Sequence, residues 1–159
     1  MEYMLQLSSP LGPLTLISDG QSLTGLRFGS LPPEKRDCIH KDLPLWGTAT
    51  AWLRLYFSGR DPGPVPFPLT PAGTAFQQQV WKKLLEIPYG ETVSYAALAG
   101  TFSSSMSPQA IGNSVKKNPI AIVIPCHRVI GADGSLTGYA WGLERKAFLL
   151  NLERKKVQF

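Results

Sequence analysis

Cysteine and histidine are scarce in this chain, two of each among 159 residues. That excludes a disulfide framework, which needs several pairs at short spacing. It also weakens a zinc reading. Cys38, His40, Cys126 and His127 are the only sulfur and imidazole ligands available. They come as Cys-x-His and then a directly adjacent Cys-His, whereas zinc ligand pairs are separated by about two to four residues. No metal is expected. Long apolar runs are also lacking: none approaches the ~18 residues of a membrane-spanning helix. The N-terminal MEYMLQLSSP has neither the basic start nor the apolar stretch of a secretory signal. A cytoplasmic protein without membrane association is expected, nucleoid-associated if the source is prokaryotic. Charged residues make up 17% of the chain and hydrophobic ones 43%, enough apolar material to build a core.

The charge that is present is uneven. Residues 1–90 carry eight basic and seven acidic side chains, and residues 91–159 carry eight and four. The positive excess lies in the half that holds Cys126 and His127. Such an imbalance favours phosphate-bearing partners, although at this size of charge a merely basic surface is the better account.

Patterning divides the chain in two. Residues 4–28 alternate between apolar and polar, broken by Pro10, Gly12-Pro13 and Asp19-Gly20, which predicts a small antiparallel sheet of two or three strands. In TATAWLRLYFSG, Ala49, Leu53, Tyr56 and Phe57 recur at helical spacing, with Gly59 as a stop. DPGPVPFPLTP then places five prolines in eleven residues. Proline lacks a backbone donor, so this stretch, 61–71, reads as an extended linker between an N-terminal α/β domain (1–70) and a C-terminal domain (71–159). Beyond it the pattern turns helical. Thr74 and Gln77 have capping-box spacing ahead of Phe76, Val80, Trp81, Leu84 and Leu85. Ser94 can cap a short helix, YAALAG. Ser107, followed by Pro108, can cap another. That last helix turns Ala110, Ile111 and Val115 inward and Gln109, Asn113, Lys116 and Lys117 outward. Two short helices with an exposed polar-basic face allow a helix-turn-helix, and equally an ordinary packed pair. The final helix, LERKAFLLNLERKK, sets Glu153 on the edge of its apolar side. There it either needs a buried partner or pairs at the surface with Arg154 or Lys156.

The chemistry centres on NPIAIVIPCHRVIGADG, residues 118–134. A free thiol is mostly protonated at neutral pH, so a nucleophilic cysteine needs a base, usually histidine, steadied by a third group. His127 is adjacent to Cys126, and neighbouring side chains diverge, so direct contact is awkward. A bridging water solves that, with Glu153 as the best acid to hold the imidazole. An inert buried cysteine is the plain alternative.

Taken together, IPCHRVI with Asn118-Pro119 upstream, GYAWGLERKAFLL downstream and GTAFQQQVWKKLLEIPYGETVSYAALA before it closely resembles the O6-alkylguanine-DNA alkyltransferases. The likeness is strong over roughly residues 73–153 and looser before them. It implies an α/β N-terminal domain with a small antiparallel, ribonuclease-H-like sheet, and a mainly α C-terminal domain with a winged-helix-like helix-turn-helix. It implies alkyl transfer from a flipped O6-alkylguanine in double-stranded DNA to Cys126, once per molecule, with no cofactor and no obligate protein partner. By the same resemblance His127 acts as base through a water and Glu153 orients it. Asn118 ties the recognition helix to the active-site turn, and Tyr95 turns the phosphate of the flipped nucleotide and helps protonate the leaving guanine. The main chain at Cys126 and Val129 reads the base edge, and Tyr139, Ala140, Trp141 and Gly142 form the pocket lid. Ser94, Ser107, Gln109, Ala110, Asn113, Lys116, Lys117 and Arg128 face the DNA.

Two positions depart from the pattern. Gln109 stands where the family usually has an arginine that fills the gap left by the flipped base, and glutamine carries no charge and stacks less well. Ala140 replaces a frequent serine and is followed by bulky Trp141. A rival reading is a lesion-sensing DNA binder with little or no transfer; a cysteine hydrolase ranks last, because no separate histidine is within evident reach.

Overall fold

A computed structural model describes residues 2–31, 42–102 and 107–154. They form two compact units. Residues up to 72 belong to the first, together with a later segment, 119–123; residues 73–118 and 124–154 belong to the second.

In the first unit β1 (Tyr3–Leu7), β2 (Leu14–Ser18) and β3 (Leu23–Phe28) make an antiparallel sheet in sequence order. The register sets Leu5 opposite Leu16 and Leu16 opposite Leu26. β2 is buried along its whole length, as the central strand must be. Helix α1 (Pro44–Phe57) begins earlier than the apolar spacing from Ala49 suggests, because Pro44 occupies the first turn, where its missing N–H costs nothing. It buries Leu45, Trp46, Ala49, Trp52, Leu53 and Tyr56.

The stretch read as a linker is extended, as its prolines require, but its end is tied to β3. Leu23 N–H donates to Pro68 O at 2.9 Å, and Thr70 N–H returns to Leu23 O at 2.9 Å. The segment 119–123 docks on the same strand: Leu26 N–H donates to Pro119 O (3.0 Å) and Ala121 N–H to Leu26 O (3.1 Å). It then turns sharply. Val123 N–H reaches back to Ala121 O at 2.7 Å, with Ile122 at φ +69°, a left-handed γ-turn that is costly for a β-branched residue.

The second unit is mainly helical. Helix α2 (Ala75–Leu84) carries the expected capping box: Gln77 N–H donates to Thr74 Oγ1 (3.1 Å), and Thr74 N–H to Gln77 Oε1 (3.0 Å). Helix α3 (Tyr95–Ala99) is capped by Ser94 and α4 (Pro108–Lys116) by Ser107, each hydroxyl accepting an N–H three residues on. Helix α4 packs on α2 and α3 and buries Ile111, Ser114 and Val115. The Trp81 indole N–H binds the Ser114 carbonyl at 2.9 Å, joining α2 to α4. β4 (Val93–Ser94) pairs in parallel with β5 (Val129–Ile130). Two-residue strands are too short to leave a periodicity, so neither was legible in the sequence. Helix α5 (Leu143–Arg154) buries Lys146, Leu149, Leu150 and Glu153. Ala147 and Phe148, though apolar, are only half-buried. The inner face therefore bears two charged groups, which a count of apolar residues passes over.

Thr74→Ala removes an exposed cap and should lower stability by about 1 kcal/mol in urea unfolding, with little change in the site below.

Candidate active site

The site lies within the second unit. Asn118 ends the run from α4, and after 119–123 the chain re-enters at Ile124. The Asn118 carboxamide closes this neck by donating from Nδ2 to Ile124 O at 2.7 Å. Pro125 follows with φ −81° and ψ 63°, and Cys126 N–H also bonds Ile124 O, at 2.8 Å. This is an inverse γ-turn, the shape proline's fixed φ permits. One turn of 3₁₀ helix, Cys126–Arg128, then delivers the thiol and imidazole before β5 begins.

Cys126 is buried, 5% exposed. Burial pushes its thiol up to about 11, against a hydrogen bond from the Asn118 side chain and the positive charge of Lys146, which favour the thiolate. His127 is wholly buried and Glu153 nearly so. His127 Nε2 donates to Glu153 Oε2 at 2.5 Å; a carboxylate only accepts, so the proton sits on Nε2 and Nδ1 is left with its lone pair. Burial holds the imidazole below its usual range, outweighing the pull of Glu153, so it is neutral at pH 7. Burial alone would raise the Glu153 carboxyl, but the bonds and charges of His127 and Arg128 prevail and hold it at about 2. Gly90 N–H adds a third donor to Glu153 Oε1 at 3.1 Å.

Arg128 corrects an expectation. Placed on the DNA side by resemblance, it is 8% exposed, and its Nε donates to Glu153 Oε1 at 2.8 Å. Its Nη1 binds Ile87 O at 2.7 Å, and its guanidinium lies 5.8 Å over the Tyr89 ring. A guanidinium so engaged is an interior counter-ion, unavailable to a phosphate. Glu153 likewise proves buried and matched by His127 and Arg128; Lys156 lies outside the described residues.

The other expected residues separate into two groups. Gln109, Asn113, Lys116 and Lys117 are exposed along α4 and just beyond it, Ser107 is exposed at its start, and Ala110 is half-buried. Ser94 is half-buried with its hydroxyl committed to the α3 cap. Around the cysteine lie Tyr95, Val129 and Tyr139. The Tyr95 hydroxyl donates to Thr137 O at 3.1 Å. Val129 is fully buried. Tyr139 is buried, its hydroxyl finds no hydrogen-bond partner among the described residues, and burial, with the nearby Cys126 charge adding, pushes the phenol far up. Ala140 and Gly142 are exposed and Trp141 half-buried, its carbonyl accepting from Arg145 Nη1 at 3.0 Å.

Lys146 was missed. It is wholly buried, and its Nζ donates to Val129 O at 2.6 Å and Thr137 O at 2.7 Å. The signal was there: Lys146, Leu149, Leu150 and Glu153 share one helical stripe. Cys38 and His40 lie outside the described residues. Among those described, no three His, Cys, Asp or Glu side chains gather to hold a metal ion, and no helix is long and apolar enough to cross a membrane.

The second unit thus joins packed helices α3 and α4 with a buried Cys, a neutral His and an ionised Glu. Two family models cover the chain almost end to end: the ribonuclease-like domain of 6-O-methylguanine DNA methyltransferase over residues 3–71, and its DNA-binding domain over residues 75–155. The methylated-DNA–protein-cysteine methyltransferase of Haemophilus influenzae is 41% identical over 96% of this chain and 86% of that protein. That of Methanosarcina barkeri is 44% identical over 96% and 97%. A crystal structure of Mycobacterium tuberculosis OGT in complex with DNA superposes with a TM-score of 0.85, at 42% identity, over 97% of this chain and 94% of that one. The chain belongs to the 6-O-methylguanine DNA methyltransferase family.

Both buried acid-base groups make the fold acid-labile. In the unfolded chain His127 takes up a proton near 6.5, which the folded site resists; Glu153 does so near 4.5, while in the fold it stays ionised to about 2. The stability these two groups contribute is therefore complete above 6.5 and falls as pH drops through each window. Urea melts across pH should show this decline, and Glu153→Gln should abolish the portion between 4.5 and about 2.

Proposed function

We propose that this protein repairs alkylated DNA by direct reversal, moving the alkyl group of an O6-alkylguanine to Cys126. The observation that carries the reading is the buried Cys126–His127–Glu153 set, inside a chain whose relatives are named for this transfer. The thiol rests protonated, so attack requires a base. His127 is suited to it, because Glu153 draws the Nε2 proton and leaves Nδ1 to receive one. Side chains adjacent in the chain diverge, so the proton travels from Sγ to Nδ1 through a water. The thiolate attacks the alkyl carbon, the S–C bond forms, and the C–O bond breaks with its electron pair passing to guanine, which is then protonated. The resulting thioether has no ready route back. The protein therefore acts once.

Binding falls to α4. Its exposed Gln109, Asn113, Lys116 and Lys117 face a duplex, with the lysines meeting phosphate and giving the affinity its salt dependence. Gln109 fills the space vacated by the extruded base. Extrusion costs a few kcal/mol, and an uncharged side chain offsets less of that than arginine would. Tyr95 leaves Thr137 to turn the phosphate of the flipped nucleotide, and the orphaned Tyr139 hydroxyl gains a partner from the base. Asn118 couples the end of α4 to the cysteine turn. The place of action is the cytoplasm, at the nucleoid if the source is prokaryotic.

Incubated with a duplex carrying O6-methylguanine, the protein should gain one methyl by intact mass, mapped to Cys126 and absent in Cys126→Ser. Turnover beyond one equivalent would refute the single-use mechanism, and tight lesion binding with no mass gain would favour a damage sensor. Gln109→Arg should tighten duplex binding or speed transfer. The transfer rate should hold from neutrality to about pH 6.5 and fall only below it, as His127 becomes protonated at its lowered pKa.

A further inference from the structure

Lys146 is a buried charge to which the transfer just described gives no task. Taking an ammonium out of water costs several kcal/mol in practice, and a methionine would fill the same space without that cost. The position of the charge is therefore informative. Its Nζ bonds two carbonyls, Val129 O at 2.6 Å and Thr137 O at 2.7 Å, and lies 5.9 Å from the centre of the Tyr95 ring. The carbonyls belong to different pieces of chain. Val129 follows directly on the Cys126–Arg128 turn. Thr137 lies in the irregular segment 131–142, which leads to Tyr139 and α5. Neither piece is held there by a long regular element, since β5 has only two residues.

We infer that Lys146 is a positioning residue for the alkyl transfer: its ammonium clamps the cysteine turn to the segment 131–142, so that the two walls of the base pocket stand at a fixed spacing, with a positive charge close to Cys126. The inference rests on the alkyl-transfer reading.

Three consequences make the arrangement more than filler. A carbonyl has two lone pairs. Val129 O therefore keeps one for an incoming base edge while Lys146 holds its direction. Thr137 O takes donors from both Lys146 and Tyr95. When Tyr95 swings to a nucleotide, Lys146 keeps that carbonyl satisfied, so the departure leaves no orphaned acceptor. Finally, the charge favours the thiolate as the proton leaves Cys126, while burial, against the opposing pull of the cysteine, holds the lysine at about 8. One helix face thus supplies both charges the reaction uses, with Glu153 behind the imidazole and Lys146 beside the thiol.

The test uses full-length Lys146→Met and Lys146→Arg. Single-turnover methyl transfer from an O6-methylguanine duplex, at varied duplex concentration, separates the limiting rate from the half-saturating concentration. Iodoacetamide alkylation of Cys126 across pH reports the acidity of the thiol. Besides Lys146, the ionisable groups around that thiol are Tyr95 of α3, Tyr139 of the 131–142 segment, and His127 with its Glu153–Arg128 pair. For Lys146→Met, the limiting rate should fall about 10- to 100-fold, the worth of hydrogen bonds to a charged group. Affinity for undamaged duplex should change less than about 3-fold, as expected of a residue off the DNA face. The alkylation midpoint should move to higher pH. Lys146→Arg keeps the charge but cannot place one compact ammonium between two carbonyls. It should keep the midpoint and lose rate, and it decides the matter if the methionine variant does not fold. A folded variant of either kind with wild-type limiting rate overturns the clamp. A methionine variant with an unmoved midpoint reduces Lys146 to a stability element and overturns the charge effect. If the wild-type chain itself gains no methyl, the alkyl-transfer reading has failed; if it transfers and Lys146→Met does so equally, only the inference about Lys146 has.

Discussion

A carboxylate in a protein interior persists only where its charge is met, and Glu153 is met three times: by the imidazole N–H of His127, the guanidinium of Arg128 and the backbone N–H of Gly90. Much of the second unit is organised by this group. It fixes the tautomer of His127. It draws Arg128 inward, where the guanidinium also takes the carbonyl of Ile87 and covers the ring of Tyr89. It thereby gathers the IPYG turn, the 3₁₀ turn with the cysteine, and the end of α5 around one charge. Removing one partner of such a network leaves the others buried and unmatched, which costs far more than the surface pairing of Glu153 with Arg154 or Lys156 could ever have supplied.

Around that anion the backbone does the remaining placement. Ile124 O accepts from both the Asn118 carboxamide and the N–H of Cys126, so a single carbonyl ties the last residue of the α4 run to the nucleophile. The two γ-turns at Ile122 and Pro125 are tight, and the first is strained for isoleucine. Such strain persists where the surroundings over-determine it, here the bridge of Ile120 to β3 on one side and the Asn118 neck on the other. The result is a cysteine whose position is set by main chain, with little left to its own rotamer.

The parts proposed to face DNA and to react are separate in character. Along α4 the side chains are exposed and mostly uncharged until Lys116 and Lys117, a surface suited to shape and phosphate contact. At the thiol Cys126, His127, Lys146 and Glu153 are all buried, and charges are felt at short range. Tyr95 stands between the two, its hydroxyl resting on Thr137 O.

The sheet strands, the capping residues Thr74, Ser94 and Ser107, and the polar stripe of α4 were legible in the sequence, because each rests on local periodicity or on a side chain bonding its own turn. So was the pairing of His127 with Glu153 near Cys126, since the chain offers few histidines and cysteines to choose from. The parallel pairing of Val93–Ser94 with Val129–Ile130, the return of 119–123 to β3, and the inward turn of Arg128 and Lys146 were not. They depend on partners far along the chain: a basic side chain read alone belongs at the surface, and only a distant carboxylate or a pair of carbonyls repays its burial. The residues themselves determined which groups could react. Tertiary structure decided which charges face inward beside them, because desolvation is repaid only by contacts that the folded chain brings together.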